Sequence, residues 1–461
     1  MRRTSSFDGS KNFDPTVLTK NGIQLTDPRL RKTNSGDSLL IRNAINGNLI
    51  IPDWEAFEAD IRAIYEEVKE IDDGENASYI PQLAEVDPNF FGVSICTVDG
   101  QVLELGDTDV YFSVQSCSKP ITYLIAVEEN SKVDKTDESV DKTDSAEKFG
   151  EEFVHNFVGR EPSGRNFNEL CLNQDNLPHN PMINAGSIMC VSLIDSKAAQ
   201  ADRYEKILRY YSRMCGGEKI NFNNSIYLSE RSTADRNFCL GYMMQEKGAF
   251  QRGKSASQLR HWTAMDLEKN LELYFQCCSI EVTSTQMAKA GSTLANGGIC
   301  VFSNDIVFNA DSVKNVLSLM HSCGMYDYSG EWSYLVGIPA KSGVSGIIYG
   351  VIPNVMCIAV YSPRLDKIGN SVKGVEFFKR FVKKYNFHVF DSLIVNNSKK
   401  SITKQYTYQT DFQKFLLLEA ASRNDVDLLK KLLAQKMDVN SCDYDKRTAL
   451  HVAASNGNVE A

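Results

Sequence analysis

The chain changes its hydrophobic rhythm several times, and each change marks an element. Residues 1 to 36 are polar, rich in Asn, Ser, Thr and Asp, and carry no period, which predicts a disordered or targeting segment. Within an N-terminal helical region, 37–78, Phe57, Ile61, Ile64, Val68 and Ile71 recur at three- and four-residue spacing, and Asp53 can cap that helix. From Phe90 the period shortens. "GVSICTVDGQVLELGD" reads as two strands joined at Asp99-Gly100, a two-residue hairpin signal. Near the far end, "GIIYGVIPNVMCIAVYS" reads as a second apolar hairpin around Pro353-Asn354, followed by a helix over "VKGVEFFKRFVKKYNF". Residues 116 to 320 between them read as mostly helical. Strands at both ends with helices between predict an α/β (α+β) domain over 79–392, in which N- and C-terminal segments close one antiparallel sheet around a helical lobe.

Two repeats interrupt this plan. "VDKTD" occurs at 133–137 and 140–144, inside a charged stretch, 129–149, that predicts a solvated surface insertion. At the C-terminus, "AASRNDVD" (420–427) lies over "AASNGNVE" (453–460) at the period of about 33 residues that, with "RTALHVAA" (447–454), is similar to ankyrin repeats. The array, read as starting at 411, shows one and a half repeats and looks truncated within them. "NNSKKSITKQ" (396–405), in the 393–410 interval, reads as a linker.

Bulk numbers narrow the classes. With 461 residues, 42% hydrophobic and 24% charged, the chain has an ordinary globular composition and room for more than one domain. A formal net charge of −9 without a long basic run speaks against nucleic-acid binding. No apolar stretch approaches the ~20 residues that span a bilayer. Twelve scattered cysteines, without a C-x-x-C pair or a secretory h-region, predict free thiols in a reducing compartment. Six histidines without ligand spacing speak against a dedicated zinc site. Arg2, Arg3 and the neighbouring serines resemble part of a transit peptide, while Asp8 and Asp14 do not fit one.

Candidate chemistry concentrates in "YFSVQSCSKPITYLIAVEE" (111–129). Pro120 is tolerated in a helix's first turn, so a helix should begin near Ser116. On a helix residues three apart meet, which pairs Ser116 with Lys119 and leaves Cys117 and Ser118 facing elsewhere. A buried lysine sheds its proton readily and can then take one from a serine. A second signal, Lys341-Ser342-Gly343-Val344, stands just before the second hairpin, as in penicillin-binding proteins and class A β-lactamases, whose Ser-x-x-Lys is followed by Lys-[Ser/Thr]-Gly.

The intervening motifs carry a closer resemblance. "YIPQL" (79–83), "VQSCSKP" (114–120), "PHNPMINAG" (178–186), "SERSTADRNFCLGY" (229–242), "YFQCCSIEVT" (274–283), "CGMYDYSGEW" (323–332) and "PAKSGVSG" (339–346) are together similar to the serine-dependent glutaminase family. With the ankyrin segment the chain resembles the family's animal kidney-type members from about residue 40 to 461. The resemblance implies a β-lactamase/penicillin-binding-protein-like fold and hydrolysis of L-glutamine to L-glutamate and ammonia through an acyl-enzyme, with no metal or organic cofactor. It implies that Ser116 is the nucleophile and Lys119 its base, and that Tyr274 and Tyr326 position the serine and relay protons. Backbone N–H groups of Ser116 and Val344 would form the oxyanion hole, and Tyr79, Gln115, Asn184, Glu230 and Asn237 would hold the amino-acid end. Such a pocket suits a free amino acid, whose ammonium wants one acidic residue and whose carboxylate wants amide or hydroxyl donors.

The same resemblance implies a homotetramer, activation by inorganic phosphate, protein partners through the ankyrin repeats, and work in mitochondria, with the cytoplasm as the alternative. The sequence departs from the family in the "VDKTD" segment, which is shorter in relatives, and in the loop "NFNELCLNQ" (166–174), where Cys171 stands in an aromatic position. Taken singly, Tyr274 and Tyr326 would be ordinary tyrosines, Glu230 beside Arg231 a surface ion pair, and Cys117 and Cys277-Cys278 packing residues. Two other readings compete: another serine amidohydrolase or esterase of the same fold, and a non-catalytic ankyrin scaffold. Glu230 with its amide neighbours and the lack of a secretion signal oppose the first, and the intact Ser116 and Lys119 oppose the second.

Overall fold

A computed structural model describes residue 40 and residues 49–131, 145–251, 264–393, 399–403, 414–434 and 437–461. The strands are β1 (Gly92–Thr97), β2 (Val102–Gly106), β3 (Phe112–Ser113), β4 (Asn221–Phe222), β5 (Ile280–Val282), β6 (Ala340–Gly343), β7 (Ile347–Ile352) and β8 (Met356–Tyr361). The two predicted hairpins, β1–β2 and β7–β8, join through β1 and β8 into a five-stranded antiparallel sheet of order β2-β1-β8-β7-β6. Ile95 opposes Ile358 across the seam, so the sheet closes only when both ends of the domain are present.

Every residue of β1, β7 and β8 is buried, because both faces of the sheet are covered. On one face Tyr349, Val351, Cys357 and Ala359 join the core of the helical lobe. On the other, Ile348, Ile358 and Val360 meet Phe57, Ile61, Ile64 and Val68 of α1 (Trp54–Lys69), together with Phe377, Phe378 and Phe381. Asp53 caps α1 by accepting from the Ala56 N–H. The helix ends at Lys69, so the last residue of the predicted stripe, Ile71, lies just beyond it with its N–H on the Val68 carbonyl.

The structure departs from the predicted plan at three further points. A second sheet of order β3-β5-β4 sits inside the lobe; strands of two or three residues are too short to show a period. The Lys-Ser-Gly motif does not merely precede a hairpin but forms β6, an edge strand. Of the interval read as a linker, residues 399–403 are pinned to the domain before it: the Lys400 N–H donates to the Lys384 carbonyl, and Thr403 is buried. The repeated "VDKTD" segments lie outside the described residues. In the C-terminal region, the matched Ala420 and Ala453 both enter one small core with Leu417, Leu429 and Leu432.

Candidate active site

The site starts where β3 turns into the lobe's buried helix. Gln115 takes a left-handed backbone, φ +48°, and begins a 3₁₀ turn over Gln115–Ser118. The α-helix itself, α2 (Lys119–Ser131), therefore starts three residues later than expected. The pairing survives this correction, because residues three apart eclipse one another in a 3₁₀ turn. The Lys119 N–H donates to the Ser116 carbonyl, and Ser118 Oγ donates to the Gln115 carbonyl. Residues 119 to 127 of α2 are buried on every side, so Lys119 enters the protein interior as the first residue of a core helix.

Lys119 is wholly buried, and its Nζ donates to Asn184 Oδ1 at 2.7 Å. Burial, reinforced by the positive charge of nearby Lys341, lowers its pKa to about 7. Asn184 opens the helix Asn184–Leu193, and its Nδ2 donates to Asn237 Oδ1 at 3.0 Å. The lysine hydrogen bond thus goes to the amide of Asn184, while the Ser116 hydroxyl lies close enough to the Tyr326 phenol to act on it electrostatically.

Glu230 lies on the helix Asn224–Ser232 and is 8% exposed. Its Oε1 accepts from the Tyr79 hydroxyl at 2.5 Å and from Gln115 Nε2 at 3.0 Å. Burial raises the carboxyl pKa, and these two neutral donors offset only part of the effect. Arg231 does not pair with it; its guanidinium reaches Glu272 at 3.2 Å. Among the described residues no cation faces Glu230.

Tyr326 follows the helix Ala310–Cys323 with φ +55°, and its hydroxyl donates to the Ser342 carbonyl at 3.1 Å. Tyr274, near the end of the helix Ala264–Cys278, is buried, with Cys278, Glu230 and Tyr326 close enough to act on it electrostatically. Burial raises both phenols above their ordinary range. Gly343 lets β6 press against the serine turn, since a Cβ there would lie 2.9 Å from the Val114 carbonyl oxygen. Val344 follows directly. Nine of the ten residues named from the sequence thus fall into three groups: two joined by hydrogen bonds, Tyr79–Gln115–Glu230 and Lys119–Asn184–Asn237, and a third, Ser116–Tyr326–Tyr274, whose members lie within electrostatic reach of one another. Val344, the tenth, stands beside them on the loop after β6.

The Glutaminase family model matches residues 74–151 and 144–390, and a model of ankyrin repeats (many copies) matches 417–461. The chain belongs to the glutaminase family. It is 42% identical over 434 residues to putative glutaminase 2 of Caenorhabditis elegans, covering 94% of this chain and 67% of that protein. To the mitochondrial liver isoform of glutaminase from Mus musculus it is 40% identical over 470 residues, covering 96% and 73%. A solved probable glutaminase superposes with a TM-score of 0.63 at 31% identity, covering 72% of this chain and 97% of that one. The glutaminase fold is thus the β-lactamase-like arrangement expected, with its sheet and lobe as described above.

Two residues of this glutaminase site escaped the sequence reading. Phe167, in the loop "NFNELCLNQ", places its ring 4.8 Å from that of Tyr326 and 5.8 Å from Lys119 Nζ, and its carbonyl accepts from the Asn184 N–H. The loop stood out only for Cys171, a half-buried thiol. Lys341 was read as a motif letter, yet it is wholly buried beside Tyr326.

Proposed function

We propose that the chain hydrolyses L-glutamine to L-glutamate and ammonia with Ser116 as nucleophile and Lys119 as its base. Neutral Lys119 takes the Ser116 proton as Oγ attacks the γ-carboxamide carbon, and the N–H groups of Ser116 and Val344 receive the developing oxyanion. Collapse returns a proton, through Lys119 or Tyr326, to the leaving nitrogen, which departs as ammonia. Water then repeats the attack on the acyl-serine and releases glutamate. Tyr274 and Tyr326 hold the serine and carry protons between these steps. Tyr79, Gln115, Asn184 and Asn237 offer hydroxyl and amide groups to the substrate's α-carboxylate and ammonium.

The observation that carries this reading is Glu230: a buried carboxylate served by a phenol and an amide and, among the described residues, facing no cation. An α-ammonium fills that vacancy in charge, and neither a β-lactam nor a simple ester brings one. Family membership supports the same substrate. Relatives named as mitochondrial isoforms support a mitochondrial location, and the ankyrin segment supports protein partners. We read the assembly as a homotetramer activated by inorganic phosphate, which light scattering and rate measurements with and without phosphate test directly. The deciding assay is ammonia release from L-glutamine beside L-asparagine and a chromogenic β-lactam. Glutamine alone should be turned over; hydrolysis of the β-lactam, or none of glutamine, overturns the reading.

A further inference from the structure

Tyr326 carries its phenol on a backbone with φ +55°, a left-handed conformation that a bulky residue seldom adopts unless its surroundings impose it. Part of the hold is local: Ser329 Oγ accepts from the Met325 N–H at 3.0 Å and donates to the Tyr326 carbonyl at 2.7 Å. Another part comes from Asn370, 45 positions from Met325. Its Nδ2 donates at 3.4 Å to the Met325 carbonyl, which lies in the same peptide plane as the Tyr326 N–H. Asn370 has no exposed surface, and its Oδ1 finds no partner among the described residues. A buried amide oxygen without a partner costs stability, and an apolar side chain would spare the fold that cost. An asparagine kept there serves something other than packing.

Asn370 closes a loop, residues 363–371, that is wound around one carboxylate. Asp366 Oδ1 accepts from the N–H groups of Ile368, Gly369 and Asn370 at 2.8, 2.8 and 3.0 Å, and the Asp366 N–H donates to the Asn370 carbonyl at 2.8 Å. The loop touches the site at two places. Gly369, with φ +101°, lies so close that a Cβ on it would stand 3.8 Å from Tyr326 Cε2 and 3.9 Å from Val344 Cγ1. At the other end Leu365 exchanges backbone hydrogen bonds with Glu75 at 2.9 and 3.2 Å, and Arg364 reaches the Gly74 carbonyl at 3.1 Å, just ahead of Tyr79. We propose that Asn370 is a positioning residue for the acyl transfer: its amide, aimed by the loop that Asp366 winds, fixes the peptide plane before Tyr326 and so sets the phenol against Ser116. The inference rests on the serine mechanism proposed above. The same loop ties the segment that carries Tyr79 to the turn that carries Tyr326, so the two walls of the site share one support.

The test compares Asn370→Leu, Asn370→Ala, Asp366→Ala and Asp366→Asn with the parent, the first two also in a Tyr326→Phe background. A fluorophosphonate, which labels an activated serine without using the amino-acid pocket, counts competent sites by mass gain, and kcat for glutamine is expressed per labelled serine. Both Asn370 variants should lower that kcat roughly ten- to hundred-fold while KM changes less than about threefold, as expected when a proton-relaying group is misplaced. In the Tyr326→Phe background the loss should shrink to about threefold or less, because both changes act through one hydroxyl. Asp366→Ala should follow the Asn370 variants, whereas Asp366→Asn keeps an oxygen for the three N–H groups and should recover most of the parent's rate. A merely structural asparagine would lower Tm and the fraction of chains that take up label, and would leave kcat per labelled serine at the parent's value. That outcome overturns the proposal. So does a loss equally large with and without the Tyr326 hydroxyl, or a parental rate in Asp366→Ala. Asn370→Ala gives the reading should the leucine variant fail to fold. If the parent takes up label but releases no ammonia from glutamine, the substrate reading fails, while the labelling rates of the variants still decide the role of Asn370.

Discussion

Two acids of this molecule, the half-buried Asp60 and the buried Glu230, are pushed in opposite directions. Asp60, on α1, receives Lys384 Nζ at 2.8 Å, Lys400 Nζ at 2.5 Å and the Tyr385 hydroxyl at 2.9 Å. Burial raises its pKa, but hydrogen bonds from Lys384, Lys400 and Tyr385 outweigh that and bring it to about 2. Glu230 receives a phenol and an amide and, among the described residues, no cation, and its pKa is raised by burial. The difference separates architecture from function. At the back of the domain the counter-charge is built in, and it ties α1 to the helix Val372–Lys384 and the segment at 399–403. In the cleft the counter-charge is left for the ligand to bring, and the fold bears the cost of an uncompensated acid.

Substitutions should therefore divide by region, those in the cleft striking turnover and those in the clamp striking stability. The largest effect is expected from Ser116→Ala, which removes the proposed nucleophile and should cut kcat for glutamine by about 10⁴-fold or more, with Tm within about 2 °C of the parent. A residual activity of a tenth would put the nucleophile elsewhere. Next, Glu230→Gln keeps the shape but removes the charge offered to the α-ammonium, so kcat/KM should fall roughly ten- to hundred-fold while stability holds or rises. Unchanged kcat/KM would remove Glu230 from the substrate pocket and dissolve the contrast with Asp60.

The clamp gives the reverse pattern. Because the folded pKa of Asp60 lies below its ordinary 3.8, its contribution is fully present above about pH 4 and is lost as pH falls toward about 2. Asp60→Asn should cost about 1–2 kcal/mol at neutral pH, a figure discounted for the solvent reaching both lysines, and should leave glutamine turnover intact. Melting curves from pH 5 to 2 check this: the gap between parent and variant should close on acidification. The smallest effect belongs to Arg231→Ala. Its pair with Glu272 is half-exposed, so stability should move by about 0–0.5 kcal/mol and kcat/KM hardly at all. A loss equal to that of Glu230→Gln would mean that the helix, not the carboxylate, is what matters.

Much of this plan was legible in local patterns. The two hairpins, the amphipathic α1 and its Asp53 cap all follow from periods and turn residues within short windows. The site was legible only as an order of motifs, because its contacts are long-range: Tyr79 meets Glu230 across 151 positions. What stayed hidden has physical reasons. The small inner sheet has strands too short to display alternation, and the 3₁₀ turn depends on the positive φ of Gln115, a residue with no special turn preference. The burial of Lys341 is set by the packing of β6 against the serine turn, which no spacing along the chain encodes.

The seam between β1 and β8 also sets an order in time. During synthesis β1 and β2 leave the ribosome about 260 residues ahead of β8, and at roughly 5–20 residues per second the wait is roughly 15–50 s. Throughout it, an apolar strand stands with one edge open, while the lobe behind it can already collapse around α2. The serine turn is made early, but β6 and Tyr326 arrive with the last quarter of the domain. A nascent chain is thus catalytically silent and most prone to stick to its neighbours during the same interval, and both conditions end with the pairing of two strands.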